Sequence, residues 1–241
     1  MINEQQYRFR FKQFGLNDSK CAMKIGTDGV LLGAWADVSN AHNVLDIGSG
    51  SGLISLMIAQ RCNSFVTGIE IDKDAYLQSI ENIAVSPWSN RIEFINNDFI
   101  KWASSTNLTD SYDHIVSNPP FFNNGPEAPL SSRANARHGR ALDYEQLIQL
   151  SHKLLTEDGK ISLISPIERE NDIIFNAEIA RLHIIRSTIV YSKAKTKPIR
   201  ILWELSKQFK SLEQSHISIR NSDNKYSDEY INLTKDFYLN F

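Results

Sequence analysis

Between Val44 and Gly52 the chain reads Val-Leu-Asp-Ile-Gly-Ser-Gly-Ser-Gly, and the apolar stretch Leu53–Ala59 follows at once. An apolar run that breaks into alternating glycines and resumes as an apolar segment predicts a buried strand, a tight turn and a helix. Glycines at such a turn let backbone N–H groups approach a ligand closely. The spacing restricts which ligand. A dinucleotide fingerprint needs G-x-G-x-x-G, whereas here the glycines fall as G-x-G-x-G and Leu53 stands where the third glycine belongs. Asp46, at the strand's end, adds a carboxylate that repels phosphate and suits an ammonium or sulfonium group. A nicotinamide-dependent oxidoreductase is thereby disfavoured, and S-adenosylmethionine meets the demand.

Two more strand ends carry chemistry. Phe65-Val66-Thr67-Gly68-Ile69 reads as a second strand ending in Glu70, whose acceptor-only carboxylate can take both hydroxyls of a ribose or stand as a solvated charge. The run Tyr112–Val116 reads as a buried strand and leads through Ser117 into Asn118-Pro119-Pro120-Phe121. Two successive prolines cannot donate ladder hydrogen bonds, so the chain leaves the sheet in a rigid, extended bend. The Asn118 side-chain carbonyl and a neighbouring main-chain carbonyl can then accept from one planar NH2 group, with Phe121 stacked on the ring that bears it. Read alone, the same tetrapeptide is also a common turn.

Taken together, these motifs resemble the class I S-adenosylmethionine-dependent methyltransferases, specifically the N-methyltransferases with an Asn-Pro-Pro-Phe or -Tyr motif. The similarity extends over nearly the whole chain to bacterial enzymes that methylate adenine N6 in tRNA. It includes Cys21-Ala22-Met23-Lys24-Ile25-Gly26-Thr27-Asp28-Gly29 and the terminal run Tyr230–Phe241. The resemblance implies a catalytic motif of Asn118, Pro119, Pro120 and Phe121. It implies cofactor contacts at Lys24, Thr27, Asp46, Gly48, Gly50, Gly52, Glu70, Ile71, Asp98, Phe99 and Asn118. Asp98 would meet the adenine amino group, with Phe99 on or near that base; an ordinary helix cap explains Asp98 equally well. The implied substrate is adenine 37 in the anticodon loop of tRNA1(Val). Other planar amines, a guanine N2 in ribosomal RNA or a protein glutamine, remain open, as does a non-catalytic RNA-binding module.

The expected fold is α/β: a Rossmann-like, mostly parallel seven-stranded sheet with helices on both faces and a terminal antiparallel strand pair. The pattern along the chain carries this. Helix-like Asp74–Ala84, strand-like Ile92–Ile95, a helical segment from Phe99, helix-like Leu142–Leu155 stopping at Asp158-Gly159, and strand-like Lys160–Ile164 alternate in order. Ile184–Tyr191 and Ile199–Leu205 are expected to pair antiparallel. Thr27-Asp28-Gly29 reads as a cap opening a helix through Trp35. One domain is expected over 1–241, with 1–40 an extension that walls the pocket and 41–241 the core. Asp46, Glu70, Asp98 and Asn118 should converge at the carboxyl ends of the strands.

With 241 residues, 41% of them hydrophobic, the chain can bury a sizeable core, and no stretch reaches the length of a membrane span. No secretory signal is evident at Met1–Gln6, and Cys21 and Cys62 read as reduced thiols, so a cytoplasmic protein is expected, taken to be a monomer. The six histidines show no metal-ligand spacing, and no metal is expected. Neither serine nor cysteine sits in a recognisable nucleophile motif.

The net charge of −2 and a pI near 6.3 argue at first against a nucleic-acid partner, yet only the face that touches phosphate must be positive. Three clusters qualify. Tyr7-Arg8-Phe9-Arg10-Phe11-Lys12 alternates rings and cations with a strand period, which an edge strand with a charged outer face also explains. Ser192–Pro198 is a hairpin-like tip bearing Lys193, Lys195 and Lys197. Arg133, Arg137, His138 and Arg140 lie in the segment Phe122–Leu142, which lacks periodicity and reads as a mobile substrate loop. With no insertion large enough for a separate recognition domain, a structured RNA is the easier partner than duplex DNA.

Overall fold

Short apolar strands separated by helix-length segments can bury both of their faces only by pairing in parallel, with the helices as crossovers. The computed structural model describes residues 7–120 and 143–240 and shows this arrangement. Phe121, the 122–142 segment with its arginines and Met1–Gln6 lie outside the described residues. A small hairpin, β1 (Phe9–Arg10) and β2 (Gly15–Leu16), precedes α1 (Thr27–Trp35). Then come β3 (Asn43–Ile47), α2 (Leu53–Arg61), β4 (Phe65–Glu70), α3 (Lys73–Ala84), β5 (Ile92–Asn96), α4 (Phe99–Ser105) and β6 (Tyr112–Ser117). After the undescribed segment follow α5 (Tyr144–Leu154), β7 (Leu155–Pro166), α6 (Glu170–Ile179), β8 (His183–Lys193), β9 (Pro198–Ser206), β10 (Glu213–Arg220) and α7 (Asp228–Thr234).

The main sheet runs β10-β8-β9-β7-β6-β3-β4-β5, with β3 to β7 mutually parallel and β9 antiparallel to both β7 and β8. The period of two sorts residues between the faces. Val44, Val66, Val116, Ile164 and Leu202 pack with α1 and α2 on one side. Their neighbours Leu45, Ile115, Leu163 and Ile201 pack with residues of α4, α5 and α6 on the other. Helix α1 is built into the core: every residue from Gly29 to Trp35 is buried. Being apolar all round, it can lie against α2 on one side and α7 on another.

A polar clamp fixes the end of α1 to the sheet. The Trp35 indole N–H donates to Thr188 Oγ1 at 2.9 Å, and the Arg186 guanidinium lies 3.8 Å from the Trp35 ring centroid. Glu204, buried, pairs with Arg186 at 2.7 Å and with Lys160 at 3.5 Å, and Lys160 reaches Asp37 at 2.7 Å. That ammonium holds the Asp37 carboxyl well below the usual carboxylate range.

Several sequence expectations need correction. Among the described residues the main sheet has eight strands rather than seven, because β10 adds parallel to β8 at the edge. Its residues are mostly polar, with Ile217 buried, so the apolar signal that marks a central strand is missing. Strand β7 begins at Leu155 instead of Lys160. Tyr112 pairs with Leu155 and His114 with Lys160, and the intervening residues form an irregularity that the Asp-Gly pair disguised as a helix stop. Helix α1 is capped by the extended Gly26 without a side-chain bond, and Thr27 is its first helical residue. The antiparallel pair is present as β8 and β9. No helix among the described residues is long and apolar enough to cross a membrane.

One close approach links the sheet to the glycine turn. A Cβ at Gly68, in the middle of β4, would lie 2.1 Å from the Phe94 ring of β5, and one at Gly52 would lie 3.1 Å from the same ring. Phe94 thus crosses bare backbone to support the turn from below. Gly68→Ala should displace the ring and destabilise the protein by about 1–3 kcal/mol. A chemical-denaturation midpoint equal to that of the parent would show that the ring shifts without cost.

Candidate active site

The crevice outside β3 and β6 is where strand order reverses: β4 and β5 extend to one side of β3, β6 and β7 to the other. Residues from both strands meet there, since Asp46 pairs with Val116 and Ile47 with Ser117. Ser117 Oγ donates to the Ile47 carbonyl at 3.0 Å, fastening the two strand ends.

Asp46 is fully buried. Its Oδ2 accepts from Ser55 N at 3.1 Å and from Ser55 Oγ at 2.6 Å. Helix α2 is preceded by Gly52 at its N-cap, which offers no capping side chain, so a carboxylate on the preceding strand satisfies one of its free N–H groups and sits at its positive end. The other oxygen, Oδ1, is buried with no partner. Burial pushes the Asp46 carboxyl up to about 7 against the opposing effect of the Ser55 bonds, and the nearby Glu70 adds to the rise.

Gly48, Gly50 and Gly52 all have φ between 54° and 83°, a region that side chains other than glycine adopt only under strain. At Gly48 and Gly50 an added Cβ would meet nothing within 4 Å, so the demand is one of backbone conformation and the space alongside is open. The turn is held by Gly48 N and Ser49 N donating to Ile69 O at 2.9 and 3.2 Å. Glu70 completes it: its oxygens accept from Gly50 N and Asp72 N, each at 2.8 Å. Burial raises the Glu70 carboxyl, and these backbone bonds oppose the rise.

The remaining residues take places around this centre. Ile71, just past Glu70, is 56% exposed. Asp98 caps α4, accepting from Ile100 N at 2.8 Å and Lys101 N at 3.3 Å, while Phe99 is buried in the core. Pro119 is buried and Pro120 exposed. The Asn118 side-chain oxygen is buried and unpartnered. A Cβ on Gly29 would lie 3.9 Å from Asn118 Nδ2, which puts the first turn of α1 beside the motif. Lys24 is turned elsewhere: its ammonium donates to the carbonyls of Asp18, Ser19 and Cys21 and organises the loop ahead of α1. Thr27 is exposed at the start of that helix.

Ser55 was given no part by the sequence, Ser49 none beyond its place in the glycine turn, and Gly29 none beyond the expected cap of α1. Ser55 answers a carboxylate nine residues earlier, a spacing no motif records. Ser49 carries a buried, unpartnered hydroxyl within the turn. Each unsatisfied buried polar atom costs about 1–3 kcal/mol, so Asp46 Oδ1, Ser49 Oγ and Asn118 Oδ1 together describe a polar complement that a ligand would supply. Acceptor oxygens predominate, which suits a cationic or amine-bearing molecule.

The methyltransferase small domain family matches residues 21–192. The chain is 43% identical over 232 residues to a tRNA1(Val) (adenine(37)-N6)-methyltransferase of Phocaeicola vulgatus, covering 96% of this chain and 97% of that one. It is 42% identical over 233 residues to the protein of the same name from Aeromonas hydrophila, with coverage of 96% and 97%. Among solved structures, a predicted O-methyltransferase from Agrobacterium tumefaciens superposes with a TM-score of 0.69 at 17% identity, covering 87% of this chain and 96% of that one. A ribosomal protein L11 methylase from Lactobacillus delbrueckii superposes with a TM-score of 0.55 at 16% identity, covering 80% and 84%. At such identities the solved structures speak to the fold alone.

The raised Asp46 carboxyl has a consequence for stability. Its folded value of about 7 lies above the ordinary 3.8, so the stability it confers is full below pH 4 and is lost as pH rises toward 7. In the ligand-free protein, thermal melts between pH 4.5 and 7.5 should show the parent losing ground steadily to Asp46→Asn, whose amide does not titrate. Parallel curves for the two proteins would mean that Asp46 is ionised throughout.

Proposed function

The chain belongs to the methyltransferase small domain family and, within it, to the tRNA1(Val) (adenine(37)-N6)-methyltransferases, and from that membership we propose that it methylates N6 of adenine 37 in tRNA1(Val) with S-adenosylmethionine as donor. The observation that carries the reading at the level of atoms is Asn118: a buried, unpartnered acceptor at the mouth of the switch-point crevice, followed by two prolines.

The donor residues fit the proposed cofactor. Asp46 Oδ1 offers a buried carboxylate oxygen to a cationic group, the strained glycines leave room for close approach, and Glu70 keeps acceptor capacity for ribose hydroxyls beyond its two backbone bonds. Asp98 and Phe99 stand after β5, where an adenine would lie; Ile71 and Thr27 would contribute walls, and Lys24 would act through the loop it braces. When bound, S-adenosylmethionine supplies an electrophilic methyl group on a sulfonium.

The protein's own contribution is positioning. An adenine N6 shares its lone pair with the ring and is a poor nucleophile. Asn118 Oδ1 and the Pro119 carbonyl would accept its two N–H bonds, fixing the amine and favouring a nitrogen whose lone pair is free of the ring. No general base close to the amine is required while it reacts, since the proton can leave afterwards to solvent. The target base must be unstacked to enter, a condition an anticodon loop meets. The reading places the protein in the cytoplasm, where tRNA is modified, acting as a single chain without a resident metal.

Asn118→Ala should retain cofactor affinity in calorimetry and lose about a hundredfold or more in methyl transfer. Full turnover in that variant would remove Asn118 from the reaction. The function itself is tested by incubating the protein with S-adenosylmethionine and RNA from cells lacking it, then digesting and identifying nucleosides by mass spectrometry. N6-methyladenosine confined to the tRNA1(Val) anticodon loop is expected. N2-methylguanosine, or no RNA product, would overturn the assignment.

A further inference from the structure

The hairpin between β8 and β9 rises from the same sheet edge as the candidate active site. Strand β7 ends at that edge beside β6; β9, antiparallel to β7, begins there with Pro198; and β8 ends there at Lys193. In register, Ser117 pairs with Leu163, Leu163 with Trp203 and Trp203 with Ser187. Lys193 therefore stands six residues beyond the level of Ser117, a rise of about 20 Å on a strand three spacings, or roughly 14 Å, to the side.

That tip is cationic and built. No acidic residue occurs from 179 to 203, while Lys193, Lys195 and Lys197 crowd the turn. Thr196 braces the turn through N and Oγ1, which donate to the Lys193 carbonyl at 3.2 and 2.6 Å. Ala194 N donates to Arg220 O at 2.8 Å and ties the turn to β10. Lys195 takes φ of 64°, so its side chain leaves the turn in a direction the backbone fixes. Of the other described lysines, Lys12, Lys24 and Lys153 donate their ammonium groups to carbonyls and Lys20, Lys160 and Lys207 pair with carboxylates, while Lys73, Lys101, Lys210, Lys225 and Lys235 stand apart from one another in sequence and do not form a cluster. Among the described residues, the three tip ammoniums pair with no carboxylate. In a chain of net charge −2, concentrating unpaired cations on a projecting, braced turn costs repulsion that a polyanion would relieve.

We infer that the β8–β9 tip is a phosphate-gripping prong that docks the sugar-phosphate backbone of the anticodon stem, while the target base lies at Asn118. The inference rests on the tRNA reading above and names the part of that substrate met away from the reacting base. The tip is too far from Asn118 to touch the target nucleotide, so it meets phosphates farther along the same molecule. Such contacts position without reading sequence.

The test compares the parent with a combined Lys193→Gln, Lys195→Gln, Lys197→Gln variant and with the matching Lys→Arg variant. Substrates are full-length tRNA1(Val) and a single-stranded oligonucleotide of its anticodon loop. With the full tRNA, the Gln variant should raise KM about tenfold or more, and its plot of log KM against log salt should be shallower by about 2 to 3. Its kcat at saturation and its S-adenosylmethionine affinity should match the parent's, which also certifies the fold. The Arg variant should behave as the parent, and the loop oligonucleotide should not distinguish any of the three. An unchanged KM and salt slope in the Gln variant, or an equal loss on the loop oligonucleotide, would overturn the prong while leaving the methylation intact. Failure of the parent to modify tRNA would overturn the function, and the prong with it.

Discussion

A buried carboxylate joins the first central strand to the helix that follows it, and most of the site depends on that junction. Asp46 holds Ser55 by backbone and hydroxyl, so the turn between them can carry three glycines in left-handed conformations without a conventional cap. Glu70 supports the same turn from the neighbouring strand. Two acids thus organise a loop that in phosphate-binding folds faces an anion, and the sign of the pocket follows from them. Removing charge from either would alter both the turn's shape and its preference for a ligand.

The second dependence is on helix α1. It comes early in the chain yet lies in the core, tied at its end by Trp35 to Thr188 and at its beginning by Asp28 to Arg200 at 2.9 Å. The latter pair spans from the helix start, beside Asn118, to the strand that descends from the lysine tip. The Asn118 segment, α1 and the β8–β9 pair are thereby joined along one edge. Preorganisation of this kind matters where catalysis consists mainly of holding two groups in place.

Much of this was legible in the sequence because it is written locally. The strand, glycine turn and helix around Asp46, the strand ends at Glu70 and Ser117, and the β8–β9 pair all show in runs of a few residues. The alternation in Tyr7–Lys12 is realised in burial: Phe11 is buried and Phe9 packs on the core, while Arg8, Arg10 and Lys12 face outward. What sequence could not give depends on distant partners. Strand β10 is polar and gains its place from β8; the cap at Gly26 has no side chain to announce it; Ser55 matters only because Asp46 lies against it in space. The seven-strand expectation and the start of β7 at Lys160 failed for the same reason, since a bulge and an edge strand lack the apolar signature of a central one.

The hairpin at the start of the described chain is closed by residues from its far end. Phe11 bridges Tyr238, Lys12 N donates to Phe237 O at 2.7 Å, and Phe237 and Tyr230 are buried against the same core as α1. During synthesis, where domains acquire structure as they emerge, this hairpin cannot be completed until Phe237 and Tyr238, more than two hundred residues later, have been made. Until then the side of α1 that packs on α7 is uncovered, while α2 and the sheet already cover the rest of it. Synthesis therefore imposes an order of its own: the central strands can assemble early, but the hairpin and the α7 side of α1 close only once the 230–238 segment has been made.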